Sequence, residues 1–100
     1  MIRHIVMFKL KQEYSSEEKA KYAAEIKEKL VMLPAKIPVI KKYEVGLDVL
    51  QTDRSYDIVL IAEFEDIKAL DKYTVHPDHQ EAVVLIRKHR NEIAVLDYKF

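Results

Sequence analysis

Tyr73-Thr74-Val75-His76-Pro77-Asp78-His79 sets one phenol and two imidazoles around a proline. A neutral imidazole can take up a proton near neutral pH, and a phenol can donate a hydrogen bond to an oxygen on which charge develops. The stretch therefore holds the parts of a general base and an oxyanion donor. In a continuous helix, side chains six apart point about 120° away from one another, which would separate Tyr73 from His79. Pro77 breaks that helix, so Tyr73 at the end of one segment and His79 at the start of the next can converge on one cavity. The plainer alternative makes Tyr73 ordinary packing and His4 and His76 satisfied core or capping histidines, since buried polar groups usually have a structural partner. His76 and His79 also have a His-x-x-His spacing beside Asp78, but the proline prevents a plain helical pair and no third ligand is obvious, so no metal is expected.

The elements that must position these residues follow from periodicity. Residues 2–10 alternate, with Ile2, His4, Val6, Phe8 and Leu10 on one face, and Ile5 and Met7 between Arg3 and Lys9 on the other. This is a strand that is apolar on both faces at its middle and carries a histidine on an apolar face. Ser15-Ser16-Glu17-Glu18 fits a capping box that opens a helix. Ala23, Ile26, Leu30 and Leu33 recur along it at helical spacing, and Pro34 ends it, leaving Ala35-Lys36-Ile37-Pro38 as the turn. Residues 39–49 read as a second strand, with Tyr43, Val45, Leu47 and Val49 on one face; Gly46, the only glycine, marks a bulge or a close backbone approach.

A polar loop follows, and residues 56–64 form a third strand with Ile58, Leu60 and Ala62 alternating against Asp57, Val59, Ile61 and Glu63. Asp66 caps a short helix carrying Ile67, Leu70 and Tyr73, and a second helix runs over residues 78–91. There His89, among Arg87, Lys88 and Arg90, reads as a solvated helix end complementing the dipole. Residues 93–100 close the chain as a fourth strand.

Strand, helix, strand, strand, broken helix, strand is the split βαβ order of a ferredoxin-like α+β fold, with the first and third strands central and the helices on one face. The other sheet face needs a cover, and the simplest is the same face of a second copy about a two-fold axis. One hundred residues suit a single domain spanning 1–100. Seventeen basic and 17 acidic residues leave no net charge, so nothing attracts nucleic acid or an anionic membrane at long range. The absence of cysteine excludes disulfides, thiolate nucleophiles and sulfur-based zinc sites. No apolar run approaches the roughly 18 residues of a membrane span, and the charge-interrupted start lacks a cleavage site, so a cytoplasmic protein without a cofactor is expected.

Over its whole length the chain resembles the stress-responsive A/B barrel family of dimeric α+β barrels. The matching residues are His4 with Val6 and Phe8, Ile37-Pro38, Val45-Gly46, Phe64-Glu65-Asp66, Tyr73-x-x-His76-Pro77-x-His79 and Asp97-Tyr98. The resemblance implies a homodimer whose four-stranded antiparallel sheets pack face to face, sometimes assembled further, and a pocket within each subunit. In a plant polyketide cyclase of this family, the positions matching Tyr73 and His79 are donor and base of an intramolecular aldol cyclisation, and those matching His4 and His76 lie nearby. Asp57 stands where that enzyme has another pocket histidine; a carboxylate there can pair with a histidine and raise its pKa.

The resulting site has His79 and Tyr73 as catalytic residues and His4, Asp57, Val59 and His76 as contacts for a small polyketide-like or aromatic ligand. Two other readings stay open: a non-enzymatic stress or binding dimer, and a cofactor-free monooxygenase or isomerase.

Overall fold

The computed structural model describes residues 1–100. In chain order the elements are β1 (Ile2–Leu10), α1 (Ser16–Val31), α2 (Leu33–Lys36), β2 (Lys42–Leu47), β3 (Ile58–Phe64), α3 (Ile67–Val75), α4 (Pro77–His89) and β4 (Arg90–Lys99). The strands form one antiparallel sheet in the order β2-β3-β1-β4. The two strands that are apolar on both faces, β1 and β3, are the central pair. This is the ferredoxin-like α+β fold that the element order implies.

Local chemistry sets the helix starts. The Ser15 hydroxyl accepts from the Glu18 amide at 3.1 Å while Glu18 accepts from the Ser15 amide at 2.9 Å, the reciprocal capping box. Asp66 accepts from the Ala69 amide at 2.8 Å and opens α3. Pro34 does not end the helical region as its ring suggests. It sits in the first turn of α2, where a missing N–H leaves no bond unmade.

The strand boundaries also differ from the periodicity. β2 is shorter than residues 39–49, because Val39 and Ile40 fold back against the core and the Asp48 carboxylate accepts from the Gln51 amide at 2.6 Å, turning the chain. β4 begins at Arg90, directly after α4, since the His89 carbonyl already accepts from the Lys11 amide beyond the end of β1. Gly46 causes no bulge, as the β2–β3 register runs unbroken from Lys42↔Glu63 to Leu47↔Ile58. Its role is close approach: a Cβ at Gly46 would lie 3.0 Å from Val59 Cγ1.

The inward face of the sheet and the helices enclose one core in which Ile26, Phe64 and Ala62 are fully buried. On the outward face Ile5 pairs with Ile61 and Leu96, and Met7 with Val59 and Ala94. Arg3 lies at one end of that face, joined to Glu63 at 3.0 Å and to the Tyr98 hydroxyl at 2.7 Å, with its guanidinium 4.0 Å from the Phe100 ring centre. No element of the chain covers these side chains.

His89 corrects the picture of a solvated helix end. It is buried, stacked on Tyr22 at 4.0 Å between ring centres, and its Nδ1 shares a 2.8 Å hydrogen bond with the Tyr14 hydroxyl. The cluster ties the β1–α1 connection to the last turn of α4. Burial, with help from Lys88, holds the His89 pKa below its ordinary value.

Two outcomes are expected from this packing. Ile26→Ala should lower the unfolding free energy by about 2–5 kcal/mol, whereas Val84→Ala on the exposed face of α4 should change it by less than about 0.5 kcal/mol; urea denaturation measures both. The unfolded chain binds protons at His89 before the folded chain does. Stability is therefore present in full above the ordinary histidine pKa of about 6.5 and is lost as pH falls from there through the lower folded value. Urea midpoints measured between pH 5 and 8 should fall on the acid side, and His89→Gln, which keeps a hydrogen-bonding side chain for Tyr14, should flatten that slope.

Candidate functional site

The break between α3 and α4 is built from backbone accounting. Had the helix continued, the Tyr73 carbonyl would pair with the amide of residue 77, but proline has none. The His76 amide takes that carbonyl at 3.2 Å instead, and His76 itself is extended, with φ −63° and ψ 135°. The Asp78 amide, which a continuous helix would send to the Thr74 carbonyl, donates to His76 Nδ1 at 3.1 Å and so caps α4. The Thr74 carbonyl is thereby left free. It accepts from His79 Nδ1 at 2.9 Å and from Gln80 Nε2 at 2.6 Å.

A carbonyl can only accept, so Nδ1 of His79 carries a proton and Nε2 of the neutral ring carries the lone pair. The imidazole is thus fixed in one tautomer. Its pKa is lowered, chiefly by burial and further by the nearby His4 and His76 rings, against a smaller raising effect of the Thr74 bond. A lowered pKa keeps the ring neutral and able to take a proton around neutral pH.

His79 faces Tyr73, with ring centres 4.2 Å apart, and the His4 ring centre lies 6.1 Å from that of Tyr73. Tyr73 is buried and burial pushes its pKa up to about 12, so it stays a phenol and a donor. Its hydroxyl shares a 2.8 Å hydrogen bond with that of Tyr43 from β2, whose pKa is raised even further by burial. With Tyr43 donating, the Tyr73 proton is free to point elsewhere. His4 Nδ1 meets Asp97 Oδ1 at 2.5 Å across the β1–β4 register, and a carboxylate in that position fixes the His4 tautomer as Thr74 fixes that of His79.

His4, Tyr73, Thr74 and His79 stand at one end of a cavity of about 210 Å³ between α4, β1 and β4. Val6, Phe8, Leu60, Val83, Ile86, Ile93 and Val95 form its apolar walls, and Arg87 and Arg90 stand at the far end. For scale, a dry protein cavity of about 150 Å³ accommodates benzene. The space suits one ring or a short chain with a few substituents.

The structure brings His4, Tyr73 and His79 together and leaves the other three candidate residues outside. His76 does not line the cavity; its ring nitrogen is used by the Asp78 amide. Asp57 is buried where β1 ends, its Oδ2 accepting from the Leu10 amide at 2.8 Å, so its carboxylate is occupied as a backbone cap rather than paired with a histidine. Val59 lies on the opposite sheet face, beside Met7 and Gly46. Tyr43, Thr74, Asp97 and the two arginines were not among the candidates. Tyr43 shares the inward parity of Val45, which hints at it, but Asp97 is legible only once the β1–β4 register sets it opposite His4.

Comparison with known proteins agrees with this architecture. Residues 2–100 match the model of the Stress responsive A/B Barrel Domain. An uncharacterized protein of Streptomyces coelicolor is 30% identical over 100 residues, covering 100% of both chains. A dimeric protein of unknown function with a ferredoxin-like fold from Bacteroides fragilis superposes with a TM-score of 0.91 at 36% identity, over 99% of this chain and 95% of that one. The hydroxynitrile lyase of Passiflora edulis superposes with a TM-score of 0.78 at 22% identity, over 97% of this chain and 90% of its own, a likeness of fold alone. With a core, a strand order and a full-length match that all agree, the chain belongs to the stress-responsive A/B barrel domain family.

Proposed function

We propose that the cavity binds a small, largely apolar carbonyl compound and that His79 and Tyr73 perform acid–base chemistry on it, of the kind used in a cyclase or lyase. The observation that carries this reading is the Thr74 carbonyl holding His79 Nδ1 beside a buried phenol. In the proposed step, His79 Nε2 takes a proton from the carbon next to a carbonyl. The electron pair moves onto the carbonyl oxygen, and the Tyr73 hydroxyl, backed by Tyr43, donates to that oxygen. The apolar walls support the step, because a dry site strengthens the donor's interaction with the developing charge. Asp97 and His4 form a second oriented pair at the same end. That a lyase shares the fold makes the chemistry compatible with it and assigns no substrate to this chain.

We also propose that two chains pack through the open sheet face. The uncovered Ile5, Met7, Val59 and Ile61 side chains support this, as does the dimeric state of the Bacteroides fragilis relative. A non-enzymatic dimer would need this face and not the cavity, so the two surfaces are tested apart.

Deuterium exchange at the α-carbon of β-dicarbonyl compounds, followed by NMR, tests the chemistry. The wild-type protein should accelerate exchange, His79→Ala should abolish most of the acceleration, a loss of roughly 10²–10⁴-fold, and Tyr73→Phe should slow it. Because the base works in its neutral form and its pKa is lowered, the rate should fall to half its plateau at a pH below the ordinary histidine value of about 6.5. Equal exchange by the wild type and His79→Ala would refute the role. For the dimer, Ile61→Glu should sediment as a monomer at micromolar concentration while the wild type sediments as a dimer; a folded wild-type monomer would disprove the interface.

A further inference from the structure

The far end of the cavity carries charge that nothing in the chain answers. Arg87 and Arg90 both line it, yet the ion pairs of the protein's lysines and arginines involve Arg3, Lys9 and Lys29, and neither of these two guanidiniums has an ion-pair or side-chain hydrogen-bond partner. Glu92, two residues after Arg90, is engaged with Lys9 at 3.6 Å. The residues one turn before Arg87 are Val83 and Val84, so the helix face supplies no acid either.

Geometry sets the distance between this end and the reactive end. From His79 to Arg87 is eight residues of α4, about 12 Å at 1.5 Å per residue. Along the opposite wall, His4 to Phe8 is four residues of β1, about 13 Å at 3.3 Å per residue. β1 and α4 run in the same direction here, because the Lys11 amide meets the His89 carbonyl at 3.1 Å where both end. The cavity is therefore a slot with imidazole and phenol at one end, two guanidiniums at the other, and apolar walls between.

We infer that the ligand of this site is an apolar acid whose carboxylate is held by Arg87 and Arg90 while its other end lies against Tyr73 and His79. The fork of a guanidinium matches a carboxylate in two parallel hydrogen bonds, which fixes orientation as well as charge. A chain or ring-bearing acid of medium length fits the span, and the cavity is too small to enclose a nucleotide carrier. The inference rests on reading the cavity as the ligand site, and it adds the class of ligand and its direction in the slot.

Isothermal titration of the full-length protein with octanoate, octanol and octylamine at low salt tests it. Octanoate should bind roughly tenfold or more tightly than octanol, octylamine should bind least, and added salt should narrow the gap. Arg87→Gln and Arg90→Gln should each reduce the preference for octanoate and the double variant should remove it, while Arg87→Lys should retain part. Arg87 is exposed, so its variants should melt as the wild type does, and an unchanged melting temperature keeps the comparison valid. His79→Ala should keep the preference, which separates anchoring from chemistry. Equal binding of octanoate and octanol by the wild type would overturn the anion anchor and leave the cavity reading intact. Binding of none of the three would overturn both, and tighter binding of octyl phosphate than of octanoate would overturn the assignment to a carboxylate.

Discussion

The site depends on one missing hydrogen. Pro77 has no amide to give, so the helical ladder fails at the Tyr73 carbonyl, His76 swings to extended geometry, and the Asp78 amide is spent on the His76 ring. What remains is the Thr74 carbonyl with no backbone donor. In place of a backbone donor, this exposed carbonyl needs a side chain or water as its partner. His79 fills that need, and the tautomer that makes it a base follows from the satisfaction of a backbone group. The helix break and the placement of the proton thus share one interaction, and Gln80 donates to the same oxygen.

Burial then divides the roles of the two catalytic candidates. The same removal from water lowers the pKa of an imidazole and raises that of a phenol, because each is favoured in its neutral form. His79 is kept able to accept a proton and Tyr73 able to donate one, so one environment sets both states in the direction that acid–base work requires. The Tyr43 hydroxyl extends the donor chain into the sheet. A polar chain of this kind is tolerated at the core's edge because every member has a partner, and no buried side-chain polar atom in the protein lacks one.

Much of this was legible in the residues, and the failures have specific causes. The fold could be read because β1 and β3 are apolar on both faces and the capping box and Asp66 announce their helices locally. The union of Tyr73, His79 and His4 could be read because a proline changes the angular relation of its neighbours. Asp57 and Val59 went astray although the alternation along β3 already set both against Ile58 and Leu60, which face the core. His76 was a capping residue, as its place just before Pro77 allowed. His89 misled because its sequence neighbours are charged whereas its actual neighbours, Tyr14 and Tyr22, lie far away in the chain. Asp97 needed strand register, which no local pattern encodes.

The position of the cavity follows from the unequal reach of the two layers. The helices pack over β2, β3 and one another, while β4 extends past their cover as an edge strand. Register places Ile93 opposite Phe8 and Val95 opposite Val6, so both side chains point to the helical side, yet they remain 44% and 55% exposed. An inward-facing apolar side chain that stays wet is surface whose burial would still be favourable, at about 25 cal/mol per Å². Those two residues form the wall that α4 faces across the slot, between the imidazole end and the guanidinium end. A ligand of the proposed kind would complete the layer that the chain leaves unfinished. Its apolar body would meet the uncovered wall, and its charged end would meet Arg87 and Arg90, for which the fold supplies no partner of its own.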